Sequence, residues 1–276
     1  MTDRRFLASN GRVADVALQG FVDTEEFVTP VRRGVAVGHW LYDAPEGNID
    51  RELLVGDAFD VIEERGDWSF GRSAKDGYCG WFETAWLGPW RAPTHRIAVR
   101  TTWGYNSPDF KTPRVLPLHL SSGVTIEETT AGWAQIAVSA GTLWVPEHHL
   151  TQSDMDLIEA ARLLLGTPYV WAGNSGFGID CSGLVQVAFH AGGRDCPPDS
   201  DVQAGMSGRE LTPEEPLAAG DLLFWKGHVA MATGPDTMIH ANAHHMAVVE
   251  EPIVEAVARI ASTDTGPVTR RLRPEL

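Results

Sequence analysis

Three cysteines occur in this 276-residue chain, and one of them stands where a nucleophile could be made. Cys181 ends a turn that begins in aromatics and runs through glycines: Tyr169-Val170-Trp171-Ala172-Gly173-Asn174-Ser175-Gly176-Phe177-Gly178-Ile179-Asp180. An apolar run, opening Ser182-Gly183-Leu184, follows at once. That junction marks a helix start, where unpaired amides and the positive end of the helix dipole favour thiolate over thiol. A cysteine of ordinary pKa, about 8.5, is only a few per cent ionised at neutral pH, so it also needs a base.

Two downstream histidines are candidates for that help. His228 opens the apolar run Val229-Ala230-Met231 just after a Gly220-Asp221 turn, and His240 lies in Met238-Ile239-His240-Ala241 after the Gly234-Pro235-Asp236 turn. On neighbouring strands the two rings would sit side by side at one sheet edge. One could then take the thiol proton while the other holds its ring, the logic of nucleophile, base and orienter. Base assistance of this kind is worth about 10²–10⁴ in rate. His240, His244 and His245 also raise a metal reading, because His-x-x-x-His suits one helix face. A strand makes that spacing wrong and no carboxylate pattern accompanies it, so neither metal nor other cofactor is expected. Cys79 and Cys196 read as bystanders.

These residues need a scaffold. Ser153 is a candidate N-cap for a helix carrying Leu157, Ile158, Ala161, Leu164 and Leu165, which Gly166-Thr167-Pro168 stops. The Cys181 helix places Leu184, Val185, Ala188 and Phe189 on one face and closes at Gly192-Gly193. After a Pro- and Gly-rich loop come apolar runs at 221–225, 228–233, 238–241, 248–249 and 268–272, with a helix at 253–261. Helices first and strands after predicts an α+β domain over 151–276.

Upstream, the chain repeats itself. Val35-Ala36-Val37 returns as Ile97-Ala98-Val99, Tyr42-Asp43-Ala44-Pro45 as Tyr105-Asn106-Ser107-Pro108, and Gly66-Asp67-Trp68 as Ala131-Gly132-Trp133. Gly80-Trp81-Phe82 with Leu87 matches Leu143-Trp144-Val145 with Leu150, and the offset stays between 62 and 65 residues throughout. Tandem modules at 31–92 and 93–150 follow, each of about five short alternating strands that suggest a small β-barrel. Residues 1–30 form a polar lead-in without chemistry.

The net charge of −15 argues against nucleic acid and against a polybasic membrane contact. An odd, sparse cysteine set is a poor disulfide framework and fits a reducing compartment. With no apolar run long enough to span a bilayer and no leader-like start, the chain reads as soluble and cytoplasmic, although a chain stripped of its leader would read the same.

In order and at matching spacing, Asp180-Cys181-Ser182-Gly183-Leu184, Gly220-Asp221-Leu222-Leu223-Phe224, His228-Val229-Ala230 and Met238-Ile239-His240-Ala241 resemble the NlpC/p60 cysteine peptidases over residues 151–276. The upstream modules resemble the tandem bacterial SH3 domains of one branch, the γ-D-glutamyl-L-diamino acid endopeptidases or dipeptidyl-peptidase VI. The resemblance implies two SH3-like barrels followed by a papain-like catalytic domain, with Cys181 as nucleophile, His228 as base and His240 as orienter. It gives Tyr169 the oxyanion together with the Cys181 amide, a role suited to a donor aimed at developing charge. Trp171, Asp180, Ser182 and Ser200 would line the pocket for L-Ala-γ-D-Glu. There Asp180 would meet the free amine, serve as a plain helix N-cap, or do both. Tyr78 of the first module would cover that pocket or be a core tyrosine. Asp43 or Glu46 would add negative charge near the amine or simply be solvated turn residues.

A lid over the amine end would exclude peptides still attached to glycan. The implied substrate is therefore a free murein peptide with meso-diaminopimelate or lysine after γ-D-Glu, as in cell-wall peptide recycling. Two alternatives stand beside it: a hydrolase of intact peptidoglycan in wall remodelling, and a non-catalytic protein whose SH3 pair binds wall peptide. The chain departs from the family in Ala230-Met231-Ala232, where Gly-Ile-Tyr is common, and in Pro198-Asp199-Ser200, where an arginine often precedes the serine. The oligomeric state is left open, a single chain being compatible with everything above.

Overall fold

The structure, a computed structural model, describes residues 3–275; Met1, Thr2 and Leu276, at the outer ends of the first and last expected segments, lie outside them. Two compact units divide after Gln152. The first opens with a short parallel pair, β1 (Val13–Asp15) and β2 (Glu26–Val28). This lead-in has a packing role: Ala8 and Val13 are buried against Ile62, Phe70, Cys79 and Trp81.

The repeat is visible as two sheets of the same design. The first contains β3 (Val31–Val35), β4 (His39–Tyr42), β5 (Ile49–Leu53), β6 (Ala58–Arg65), β7 (Trp68–Ser73), β8 (Cys79–Glu83) and β9 (Leu87–Pro89), ordered β5-β4-β8-β7-β6-β3-β9. The second contains β10 (His95–Ile97), β11 (Thr101–Tyr105), β12 (Arg114–His119), β13 (Gly123–Thr130), β14 (Trp133–Val138), β15 (Gly141–Pro146) and β16 (Leu150–Thr151), ordered β12-β11-β15-β14-β13-β10-β16.

Position for position the two orders agree, and so do their irregularities. The register slips between Leu41 and Tyr42 and again between Gly104 and Tyr105, and likewise between Val61 and Glu63 and between Ile126 and Glu128. Such bulges re-aim a side chain. Beside the first bulge in each sheet a tyrosine stands edge-on to a tryptophan, Tyr42 on Trp68 at 5.3 Å and Tyr105 on Trp133 at 5.5 Å between ring centres. In hydrogen-bond terms both sheets are open among the described residues, β5 and β9 forming the edges of one and β12 and β16 those of the other. The ladder therefore does not close into the barrel expected from the strand count. Each sheet nonetheless has its own core, around Leu41, Phe59 and Phe82 in the first and around Leu118, Ile136 and Val145 in the second.

The second unit packs helices on one antiparallel sheet. Helix α1 (Leu157–Leu163) is capped by Asp156, whose carboxylate accepts from the amides of Ile158 and Glu159, so the start falls three residues beyond the expected Ser153. A two-residue hairpin, β17 (Asn174–Ser175) and β18 (Gly178–Ile179), tightens the glycine-rich turn and delivers the chain to α2 (Cys181–Ala191). After α3 (Ser200–Gln203) come β19 (Gly208–Glu210), β20 (Leu222–Trp225), β21 (His228–Ala232), β22 (Thr237–Asn242), β23 (Ala247–Pro252), α4 (Ile253–Ala261) and β24 (Arg270–Pro274). The strands lie in the order β19-β24-β20-β21-β22-β23, antiparallel at every pairing.

Helix α2 is buried on nearly every side, His190 excepted, and packs on β21 and β22. A helix apolar all round belongs inside, and its N-terminus is thereby held against the sheet. Gly183 permits the closest approach in its first turn. A Cβ there would strike the Gly173 carbonyl oxygen and come within 2.5 Å of Asn174 Oδ1. Replacing Gly183 with alanine is expected to cost about 1–3 kcal/mol by overpacking, read as a lower denaturation midpoint with unchanged slope. Wild-type stability in that variant would show that the turn can yield.

Candidate active site

The register of β21 on β22 pairs Met231 with Ile239 and Ala232 with Met238. Continued toward the strand ends, it sets His240 across from Ala230 and diagonally beside His228 on the same face, where side chains meet. His228 Nε2 lies 2.8 Å from His240 Nδ1. On the other side of β22, Met238 pairs with Glu251 of β23, which makes Glu251 the diagonal neighbour of His240. Its Oε1 is 2.7 Å from His240 Nε2. Arg259, on α4, grips both carboxylate oxygens at 2.5 and 2.7 Å. The result is one hydrogen-bonded line, His228–His240–Glu251–Arg259.

His240 is wholly buried. Burial lowers its pKa despite the hydrogen bond and charge of Glu251, which work the other way. His228 is pushed down to about 3, by burial first and then by the positive charge His240 and Arg259 can carry. Both rings are therefore neutral at neutral pH. Burial alone would raise Glu251, but the hydrogen bonds from Arg259 and His240 win and hold it at about 2. A cavity of about 480 Å³ runs along this line, walled by Tyr169, His228, His240, Asn242, His244 and Arg259 among others.

Cys181 begins α2 and is 6 % exposed. The nearby amides of Val229, Ser182 and Cys181 itself draw its pKa down, as a helix start should. Burial and the Asp180 charge outweigh them, and the thiol is pushed up to about 12. Against the pull of the helix dipole, desolvation of the anion is the larger effect on this thiol. Burial thus favours the neutral form of both the thiol and the imidazole.

Tyr169 is half-buried and shares the cavity with both histidines. Burial, then the charges of Cys181 and Asp180, raise its pKa, so its hydroxyl stays a donor. Asp180 caps α2: Oδ1 accepts from the Gly183 amide at 2.7 Å and from Ser182 Oγ at 2.9 Å, while Oδ2 accepts from the Ala172 amide at 2.9 Å. Burial, the largest effect, raises its pKa against these three bonds. Ser182, second in α2, is buried, and Trp171, on the turn that leads to the helix, is 71 % exposed. Ser200 opens α3, half-buried; from the end of that helix the buried Gln203 donates to the Ser182 and Pro198 carbonyls at 3.0 and 2.9 Å, tying the loop to the first turn of α2.

The remaining candidates belong to the other unit. Tyr78 is 2 % exposed in the first sheet's core, edge-on to Phe6 at 6.0 Å with the Arg51 guanidinium 5.3 Å from its ring. Asp43 holds Asn48 through backbone and side chain, and these bonds lower its pKa. Glu46 occupies the same turn with a φ of 57°.

Sequence reasoning missed Glu251, Arg259, Asn242 and Gln203. Only the register of β22 on β23 brings Glu251 to His240, and the adjacent pair Glu250-Glu251 looks like any solvated strand end. Because burial pushes the Cys181 pKa up, its alkylation by iodoacetamide, read by peptide mass spectrometry, should keep accelerating above pH 9. A plateau reached near pH 7 would instead reveal a preformed thiolate.

A model of the NlpC/P60 family matches residues 166–262, and one of the bacterial dipeptidyl-peptidase SH3 domain matches residues 41–87. The gamma-D-glutamyl-L-lysine dipeptidyl-peptidase of Bacillus subtilis strain 168 is 30% identical over 218 residues, covering 70% of this chain and 72% of that protein. A protein of the same name from Bacillus cereus is 27% identical over 234 residues, covering 73% of this chain and 69% of its own. The crystal structure of an NlpC/P60 family protein from Bacillus cereus superposes with a TM-score of 0.75 at 22% identity, over 88% of this chain and 99% of that one, and so shares the fold. With a cysteine at a helix start, two histidines on adjacent strands and relatives matched along most of their length, the chain belongs to the NlpC/P60 family of cysteine peptidases.

Proposed function

We propose that this peptidase hydrolyses the bond between γ-D-Glu and an L-diamino acid, meso-diaminopimelate or lysine, in free murein peptides that begin with L-Ala. The observation that carries this reading is the Cys181, His228 and His240 set beside a half-buried carboxylate, Asp180, which has three neutral donors and no ion-pair partner among the described residues. A carboxylate in that state is costly. A substrate ammonium is the missing charge, and it would seat a free peptide N-terminus beside the nucleophile. The names of the Bacillus relatives support the same bond class.

In this mechanism Cys181 Sγ attacks the γ-carbonyl carbon while its proton passes to His228. The developing oxyanion meets the Tyr169 hydroxyl and the Cys181 amide. His228 then gives its proton to the departing amine of the diamino acid, leaving a thioester. Water, deprotonated by His228, releases L-Ala-D-Glu and restores the thiol. His240 holds the His228 ring throughout. Trp171, Ser182 and Ser200 contribute to the pocket wall around the first two residues.

Residues 93–150 are in this reading a second SH3-like module, supported by the shared strand order and the shared bulges. A cytoplasmic, recycling role accords with three cysteines that are all free thiols and with the charge of −15.

Replacing Cys181 with alanine should abolish release of the diamino acid from L-Ala-γ-D-Glu-diaminopimelate, followed by mass spectrometry, and retained turnover would sink the reading. Acetylating the substrate amine should lower kcat/KM by at least tenfold. Equal cleavage of purified sacculi would favour the wall-remodelling alternative. Burial disfavours the imidazolium of His228, so the neutral base survives into acid. The acid limb of kcat/KM should therefore lie below the ordinary histidine value of 6.5, toward about 3, and a limb at 6.5 or above would contradict it.

A further inference from the structure

His240 Nε2 is approached by two groups that require opposite protonation states. Glu251 Oε1, at 2.7 Å, can only accept, so it requires a proton on Nε2. Asn242 Nδ2, at 2.9 Å, can only donate, so it requires a lone pair there. The Asn242 amide is held in this orientation because its Oδ1 accepts from the His245 amide at 2.9 Å. One nitrogen of a neutral ring cannot satisfy both.

The two outcomes propagate differently along the line. With Nε2–H on His240, its Nδ1 is a lone pair that accepts from His228 Nε2–H, and His228 Nδ1 is left as a lone pair able to take the thiol proton. With the Nε2 lone pair turned to Asn242, His240 Nδ1–H donates to His228 Nε2. The proton of His228 then resides on Nδ1, and the base is lost. The choice between Glu251 and Asn242 is thus a choice between a working and an idle tautomer two residues away.

Resting on the functional reading above, we infer that Glu251, clamped by Arg259, is a positioning residue that wins Nε2 of His240 and so fixes His228 in the tautomer that accepts the Cys181 proton. Hydrogen bonds to an ionised group are the stronger kind, and the two-pronged grip of Arg259 keeps Glu251 both charged and in place. As His228 takes the proton, its Nε2–H still points along the line toward the carboxylate, which stabilises the imidazolium through His240. His240 is faced by His228 from β21, Glu251 from β23, Arg259 from α4 and His245 from the loop between β22 and β23. Of these, Glu251 is the one held firmly negative.

The test uses the full chain with Glu251→Gln, which keeps shape but offers an amide that can donate as well as accept. Three readings are taken: kcat and KM on L-Ala-γ-D-Glu-diaminopimelate, the rate of Cys181 alkylation by iodoacetamide at pH 7, and the ¹⁵N ring shifts of His228 and His240. The expected result is a fall in kcat of about 10²-fold or more, with KM within about twofold of wild type. Alkylation should slow about tenfold or more, and the ring shifts should move the His228 proton to Nδ1. Adding Asn242→Ala should recover part of the lost alkylation rate, since the competing donor is gone; a variant that merely unfolds would not be rescued. Unchanged ring shifts and an unchanged alkylation rate in Glu251→Gln would overturn the inference. If the wild type fails to cleave the peptide, the substrate assignment falls, while alkylation and ring shifts still decide the role of Glu251.

Discussion

The pairing of β22 with its two antiparallel neighbours is the constraint on which the site depends. It sets His228, His240 and Glu251 on one face in a diagonal line, with bonds of 2.8 and 2.7 Å between them. Side chains alternate along a strand, so a slip of one residue would turn His240 away from both partners. The register is specified by what lies on the two faces of the sheet. Ala230, Ala232 and Met238 pack with Ile253 and Ala256 of α4, while α2 packs on β21 and β22. Packing therefore does double service: it stabilises the sheet and it aims the base.

Burial is the common cause of the unusual ionisation in this region, and its sign follows from the group. It raises Cys181, Tyr169 and Asp180 and lowers His228 and His240, always toward the neutral form. Glu251 departs from that pattern because Arg259 binds both of its oxygens. The site accordingly contains one secured negative charge at the far end of a line of neutral groups. A neutral resting state is compatible with catalysis when the oxyanion donors are preorganised, since stabilisation is then supplied as charge develops.

Much of this was legible in the chain. Cys181, His228 and His240 stood out because each sits beside a turn signal and an apolar run, and the 62–65-residue offset revealed the duplicated sheets. Other features depend on three-dimensional facts that spacing does not carry. Glu251 joins the line through a hairpin register. The open edges of the two sheets depend on which strands fail to pair. The Asp156 cap displaced Ser153 because its carboxylate reaches two helix amides. The depth of Cys181 is likewise hidden: the helix start shows in the sequence, but the burial of its thiol beneath its neighbours does not.

That depth has a chemical consequence beyond turnover. Oxidants, like alkylating agents, attack sulfur in proportion to its thiolate character and its exposure. At 6 % exposure and with its pKa pushed up to about 12, Cys181 offers little of either while the site is empty. A nucleophile that burial keeps toward its neutral form is less open to the sulfenic and sulfinic acids that erode standing thiolates. The durability of the resting peptidase and the reactivity of the working one are set by the same desolvation.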